Sequence, residues 1–177
     1  MTRLGLLSDS HGDANITRLA VDRLLDEGID LLIYLGDVNS EAVLDALAVH
    51  FPESHVEVGV RVPVHVVFGN TDYEADALSR YAVDLGLNVD HPAGRLVFDD
   101  KHIAFTHGHL EAPMHAAVQD QCDYLLHGHT HEAADNMIND TRVICPGALT
   151  RASPLTVATL DLSDGKLDLI PISGGRG

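Results

Sequence analysis

The chain has 177 residues, with 11 basic and 27 acidic side chains that give a formal net charge of −16. This length predicts one domain, over residues 1–177, and the 45 % hydrophobic content argues against disorder. The excess of acid argues against a partner such as long nucleic acid, because no basic patch is present to displace counterions from phosphates. No apolar run approaches the ~18 residues of a membrane span, so no membrane association is expected.

The acidic side chains are mostly aspartate, 20 Asp against seven Glu, and only two lysines are present. Such a surface repels itself in dilute buffer, whereas at ~1 M salt the Debye length falls to about 3 Å. The composition favours a cytoplasm of high ionic strength, with an ordinary acidic mesophilic protein as the alternative. Cys122 and Cys145 indicate no disulfide framework and are expected to be buried small apolar residues. A cytoplasmic location follows as the prediction.

The first half of the chain alternates strands and helices. Apolar runs predict strands at 3–8, 31–35 and 64–68. The intervening patterns predict a helix capped by Asn15 and ending near Glu27, a helix capped by Ser40, and a helix over 73–85. The apolar face of the first helix includes Ile16 and Leu19. Residues 52–62 look irregular, and this stretch is either a substrate-specific loop or a variable segment without a specific role.

The second half is richer in strands. A hairpin is predicted from 96–98 and 102–106, then a short helix near 115–119 and a strand at 124–126. Further strands are predicted at 134–138, 141–145, 156–160 and 167–170. Because the strands in both halves are mostly apolar and need covering, the pattern favours an α/β fold of two packed sheets with helices outside.

Polar side chains that can bind metal follow the ends of five predicted strands. They are Asp9 and His11, then Asp37, Asn70 and His107, and finally His129 and His131. Ligands of open α/β sheets bind at this edge, and residues two apart on an extended segment face the same side. Seven ligands are too many for one ion but suit two ions that share a carboxylate.

The ordered blocks resemble those of the calcineurin-like metallophosphoesterases. They are D-S-H at 9–11, G-D at 36–37, G-N-T-D at 69–72, T-H-G-H at 106–109 and G-H-T-H at 128–131. The short length is similar to the small prokaryotic phosphodiesterase branch, whose fold is related to the retromer subunit. The resemblance implies a four-layer α-β-β-α sandwich of two mixed sheets in a single domain.

The resemblance also implies the ligands of two divalent ions. One ion would take Asp9, His11, His131 and a shared Asp37, and the other would take Asn70, His107, His129 and the same Asp37. Nitrogen and oxygen ligands without thiolate suit Mn²⁺, Fe, Co²⁺, Ni²⁺ or Zn²⁺, and the family makes Mn²⁺ the first expectation. The implied activity is hydrolysis of a small phosphodiester or nucleotide by a metal-bridging hydroxide, with no covalent intermediate.

One position departs from the family pattern. Many relatives carry a histidine after the G-N asparagine that protonates the leaving group, whereas this chain has Thr71, whose hydroxyl is too weak an acid. We therefore expect a preference for esters with good leaving groups. His109 is a candidate for a substitute acid or a phosphate ligand. The sequence does not decide whether His127 and Thr71 act directly or only support the structure. Arg151 either contacts the substrate phosphate or lies on the surface.

Two other functions remain open from the sequence. The chain could be a non-catalytic metal-binding scaffold or interaction module on the same fold, or a phosphomonoesterase or nucleotide pyrophosphatase. The retention of all seven ligand positions favours an enzyme, and the missing acid at Thr71 counts against a monoesterase. The sequence leaves the natural substrate and the oligomeric state open.

Overall fold

Four helices and eleven strands are present in the computed structural model, which describes residues 2–48 and 62–173. In chain order they are β1 (Arg3–Leu7), α1 (Ala14–Asp26), β2 (Leu31–Leu35), α2 (Glu41–Leu47), β3 (Val64–Val67), α3 (Ala75–Asp84), β4 (Asn88–Val89), β5 (Ala93–Phe98), β6 (Lys101–Thr106), α4 (Glu111–Gln119), β7 (Tyr124–Leu126), β8 (Ala134–Ile138), β9 (Thr141–Cys145), β10 (Thr156–Asp161) and β11 (Leu167–Pro171).

The strands form two mixed sheets. The first has the order β11-β10-β1-β2-β3-β4, in which β1 to β4 run parallel and β10 pairs with β1 in the antiparallel direction. The second has the order β5-β6-β7-β9-β8, with β6, β7 and β9 parallel and an antiparallel strand at each edge. The carboxyl ends of β1, β2, β3, β6 and β7 therefore carry the predicted ligand segments.

Three apolar clusters fill the spaces between the layers. Leu6, Ile33 and Phe105 belong to the cluster between the two sheets. Alternate residues of the first sheet, such as Tyr34, pack with α1, α2 and α3 on its outer face. The outer face of the second sheet packs with α4 through residues such as Ala117. This arrangement confirms the predicted four-layer α-β-β-α sandwich of two mixed sheets in a single domain.

The start of α1 differs from the prediction. Asp13, not Asn15, is the N-cap, because its carboxylate accepts hydrogen bonds from the backbone N–H groups of Asn15 and Ile16 at 3.0 and 3.1 Å. Leu19, which was expected on the buried face, is 48 % exposed. The Ser40 cap of α2 is confirmed, since its hydroxyl accepts from the N–H of Val43.

Other helix and strand boundaries in the structure also differ from the predicted ones. The third helix begins at Ala75 rather than at 73, the fourth begins at Glu111 rather than near 115, and β5 begins at Ala93 rather than at 96. The two-residue strand β4 was not predicted, because a run this short has no periodicity to detect. Residues 52–61 of the interval that looked irregular lie outside the described residues.

Both cysteines, Cys122 and Cys145, are free and buried, as the sequence predicts. Within 2–48 and 62–173, no helix combines the length and the apolar character needed to cross a bilayer.

Candidate metal centre

The strand ends bring buried carboxylates and imidazoles together from both sheets. Ligand atoms of Asp9, Asp37 and His107 lie within 4.8 Å of one another, and so do those of Asp9, His11 and His131. Asp9 and His107 are fully buried and Asp37 is 2 % exposed. Two buried carboxylates this close together require compensation by an opposite charge, which a divalent cation provides.

Asp37 lies between histidines that come from opposite sheets. Its Oδ2 atom is 3.5 Å from Nε2 of His11 and 3.6 Å from Nε2 of His107. Its Oδ1 atom accepts the backbone N–H of Thr71 at 3.0 Å. Burial acts to raise the pKa of Asp37, but the Thr71 hydrogen bonds and the two histidines outweigh it and hold the pKa below its ordinary value. The side chain is therefore an anion at neutral pH.

Asp9 presents one carboxylate oxygen without a hydrogen-bond donor. Its Oδ2 atom accepts the backbone N–H of His129 at 3.1 Å. Its Oδ1 atom is buried, makes no hydrogen bond to the described residues and lies 3.2 Å from Nε2 of His131. A buried oxygen left in this state needs a partner that the protein atoms do not supply. A metal ion bound by Asp9 and His131 fits this requirement.

His107 is oriented by a backbone carbonyl. Its Nδ1 atom lies 2.7 Å from the carbonyl oxygen of Leu35, to which it donates, so that Nε2 carries the lone pair. That Nε2 atom faces the side-chain Oδ1 of Asn70 at 3.1 Å. Two acceptor atoms in this arrangement suit a cation that both can bind.

His129 joins the cluster differently from the other imidazoles. Its ring centroid lies 5.1 Å from that of His107. Its ring nitrogens lie outside both groups of close ligand atoms found among the described residues, namely Asp9 with His11 and His131, and Asp9 with Asp37 and His107. By contrast, the Nε2 atoms of His11 and His131 face each other at 3.3 Å. The structure thus brings six of the predicted ligands into direct contact and places the seventh beside them.

Five of the seven predicted ligands have a left-handed backbone. Their φ angles are 58° at Asp9, 46° at His11, 59° at Asp37, 68° at His129 and 61° at His131. Non-glycine residues rarely adopt such angles, and strain of this kind collects at functional sites. The backbone turns sharply at these positions, so each side chain points into the space between the strand ends.

Asp72 supports the centre, although no role was predicted for it. Its buried carboxylate accepts the backbone N–H groups of Gly69 at 2.7 Å, Val38 at 3.2 Å and Asn39 at 2.7 Å. It therefore ties the loop that carries Asn70 to the loop that carries Asp37. The final aspartate of the G-N-T-D block was the signal that could have identified it.

Three further polar residues surround the ligands. The Thr71 hydroxyl lies 3.2 Å from Oδ1 of Asn39, to which it donates. His127 donates from Nδ1 to the carbonyl of Gly128 at 2.9 Å, and its pKa is lowered by burial. His109 has a buried Nδ1 with no hydrogen bond to the described residues, and its pKa is lowered by burial and then by neighbouring histidines. Thr71 and His127 thus have structural contacts, whereas His109 has a free ring nitrogen.

Comparisons with known proteins agree with this geometry. Residues 2–165 match the model of the calcineurin-like phosphoesterase superfamily domain. The phosphodiesterase MJ0936 of Methanocaldococcus jannaschii is 26 % identical over 147 residues, which cover 82 % of each chain. A solved archaeal phosphodiesterase superposes with a TM-score of 0.81 at 24 % identity, over 96 % of this chain and 99 % of that one.

The fold is also that of Vps29. The Zn²⁺ complex of Vps29 from Entamoeba histolytica superposes with a TM-score of 0.65 at 20 % identity, over 97 % of this chain and 100 % of that one. This confirms the predicted relation to the retromer subunit at the level of the fold. With the sandwich, the carboxylate–histidine cluster and a family match over residues 2–165 in agreement, the chain belongs to the calcineurin-like phosphoesterase superfamily.

Proposed function

We propose that this protein is a dinuclear-metal phosphodiesterase that hydrolyses a small phosphodiester or nucleotide. The observation that carries the proposal is the buried cluster in which Asp37 lies 3.5 Å from His11 and 3.6 Å from His107. A carboxylate in this position can serve two ions at once. The relatives named as phosphodiesterases support the same reaction class.

The proposed ligand sets follow the two sides of the cluster. One ion is held by Asp9, His11, His131 and Asp37, and the other by Asn70, His107, His129 and Asp37. The ligands are imidazole, amide and carboxylate without thiolate, which suits Mn²⁺ first and also Fe, Co²⁺, Ni²⁺ or Zn²⁺. When bound, two such ions supply a nucleophile from water and neutralise charge on the phosphoryl group.

The protein residues prepare this chemistry. The Leu35 carbonyl fixes the tautomer of His107, and the Thr71 N–H helps to keep Asp37 ionised. Asp72 ties the loop of Asn70 to the loop of Asp37. The hydroxyl of Thr71 cannot protonate an alkoxide leaving group efficiently near neutral pH. We therefore propose that the enzyme prefers esters whose leaving groups need little protonation.

The proposal also covers the domain organisation, the cellular location and the size of the substrate. Residues 1–177 form one metallophosphoesterase domain, located in the cytoplasm, and the two free cysteines agree with a reducing compartment. The substrate is a small phosphodiester, since the flanking phosphates of long nucleic acid would meet an acidic surface.

The test compares activity with metal content. The protein is purified at about 1 M KCl to screen its charge, its metals are measured by plasma mass spectrometry, and bis- and mono-p-nitrophenyl phosphate are assayed with added Mn²⁺. We expect about two ions per chain and faster hydrolysis of the diester. Less than one bound ion together with no turnover of either ester would support the scaffold alternative, and faster turnover of the monoester would support a monoesterase.

A further inference from the structure

We propose that Arg151 binds the phosphoryl group of the substrate, and that two cavities which meet at Arg151 receive the two alcohol substituents of the phosphodiester. This inference rests on the proposed function and names the class of substrate that the site takes.

The loop that carries Arg151 is fixed to the metal centre. The backbone N–H of Leu149 donates to the carbonyl of Ser8 at 3.1 Å, and the Thr150 hydroxyl donates to the carbonyl of Asp9 at 3.0 Å. Arg151 itself has a left-handed backbone, with φ of 55°, which an arginine seldom adopts. Arg151 is therefore held close to Asp9, a proposed metal ligand, by the hydrogen bonds of Leu149 and Thr150, the two residues that precede it.

The guanidinium of Arg151 is free to bind a ligand. In the part of the chain that the structure describes, it makes no hydrogen bond and no ion pair. Most other described cations are paired with acids, namely Arg3, Arg23, Arg95, Lys101, Arg142 and Lys166. Arg18 and Arg80 also make no ion pair to the described residues, but of these three exposed arginines only Arg151 lines the cavities that include His11 and His131. The planar fork of five N–H donors matches phosphate oxygens.

Two cavities have this side chain in their lining. The larger has a volume of about 860 Å³ and includes His11, Thr71 and Tyr73 in its lining. The smaller has a volume of about 470 Å³ and includes His131 in its lining. Arg151 lines both cavities. Since His11 and His131 face each other at 3.3 Å, both cavities open onto the same metal-binding cluster.

This arrangement matches a diester better than a monoester. A phosphodiester has two alcohol substituents on phosphorus, and each cavity can hold one of them. Tyr73 is 90 % exposed in the larger cavity and offers a ring for stacking against a planar group. Glu41 and Glu74 line the same cavity and would repel a further phosphate. The favoured substrate is a diester whose larger substituent is planar and carries no negative charge.

The first experiment tests the arginine. Arg151→Ala should lower kcat/KM for bis-p-nitrophenyl phosphate by about 10- to 100-fold, as loss of a charge-assisted phosphate contact does. Arg151→Lys should recover part of the activity, and added guanidinium should rescue Arg151→Ala. Metal content should stay unchanged. Arg18→Ala, which removes one exposed positive charge from α1, is the matched control and should behave as wild type.

A binding measurement separates this inference from the proposed function. Calorimetric titration of the metal-loaded protein with inorganic phosphate should show affinity about tenfold weaker in Arg151→Ala than in wild type. An inactive wild type would overturn the proposed function, while this difference would still support the phosphate role of Arg151. Equal phosphate affinity and equal kcat/KM in wild type and Arg151→Ala would overturn the role of Arg151.

The second experiment tests the cavities. Ala77→Phe fills part of the larger cavity and Ala133→Phe part of the smaller one, both at exposed positions. Each variant should raise the KM for the diester several-fold. A monoester has a single substituent, so one of the two variants should leave the KM for mono-p-nitrophenyl phosphate unchanged. The two-cavity assignment is wrong if either variant leaves the KM for the diester unchanged, or if both raise the KM values for the two esters equally.

Discussion

Gly36 lies directly against the imidazole of His107, so that a Cβ atom built on Gly36 would overlap the ring, with Cγ of His107 at 2.7 Å. Gly36 also has a φ of 100°, which side chains rarely allow. The glycine before Asp37 therefore has two functions. It permits the sharp turn after β2, and it lets His107 from the second sheet approach the first sheet.

Gly36→Ala should destabilise the fold and displace His107, because the new methyl group overlaps the ring and the backbone is strained. Gly28→Ala is the matched control, since Gly28 also has a positive φ but its Cβ would meet nothing within 4 Å. The control should lose about 1–2 kcal/mol from backbone strain alone and keep its metals. Chemical denaturation and metal analysis measure both effects. Equal losses in the two variants would show that the contact with His107 is unimportant.

Asn70→Ala should remove one of the two proposed ions. Its Oδ1 atom faces Nε2 of His107 at 3.1 Å, and the alanine side chain offers no ligand. Metal analysis should show about one ion per chain instead of two, with diester hydrolysis strongly reduced. Asn136→Ala removes the same side chain from the exposed strand β8 and should leave the metal content unchanged. A full complement of metal in Asn70→Ala would exclude Asn70 as a ligand.

Asp72→Ala should lower the free energy of unfolding by about 3 kcal/mol or more, because three backbone N–H groups lose a charged acceptor. Metal occupancy should fall as well, since the loops of Asp37 and Asn70 lose the Asp72 hydrogen bonds and are joined only through Thr71. Asp76→Ala removes an exposed carboxylate nearby in α3 and should change stability by no more than about 0.5 kcal/mol. Urea titrations of both variants test the difference, and a stable, metal-loaded Asp72→Ala protein would contradict the positioning role.

His109→Ala should lower kcat for the diester by about 10²-fold if His109 acts on the leaving group or the phosphate. The His109 ring lies beside the proposed ligands, with its centroid 5.3 Å from that of His107 and 6.3 Å from that of His129. His115→Ala, at an exposed position of α4, is the control. Steady-state kinetics with matched metal content decide the outcome, and an unchanged kcat would remove His109 from the mechanism.

Stability and activity should both rise as KCl is increased from low concentration to about 1 M, where the Debye length is only about 3 Å. The reason is the net charge of −16, whose self-repulsion is screened by salt. Thermal unfolding and diester hydrolysis across a salt series measure the effect. A collapse of activity at molar salt would contradict the prediction, because it is the behaviour of a basic enzyme that attracts its substrate through exposed charge.

Most strands could be predicted, and the seven candidate ligands could be proposed, because both leave local signals. The buried run of β2 is continuous and apolar, and each polar block follows directly on a strand. The start of α1 was predicted two residues too late for a physical reason. Asp13 and Asn15 are both good N-cap residues, and the choice depends on the extended backbone at Asp13 that follows the turn at Gly12.

The supporting contacts could not be predicted because they join distant parts of the chain. Asp72 accepts the backbone N–H groups of Val38 and Asn39, which lie 34 and 33 positions earlier in the chain. Thr150, which precedes Arg151, donates its hydroxyl to the carbonyl of Asp9, 141 positions earlier. The G-N-T-D block points to Asp72 as a residue of the site, but nothing in the local pattern around Asp72 or Arg151 indicates these distant partners. The left-handed backbone at five ligand positions is likewise imposed by the assembled strand ends.

The two sheets contribute to the centre together. Asp9, Asp37 and Asn70 follow strands of the first sheet, whereas His107, His129 and His131 follow strands of the second. Ions bound among them would cross-link the sandwich in the way that a disulfide cross-links a smaller domain. Separation of the sheets would then release the ions, so the supply of metal would set how long the folded state persists.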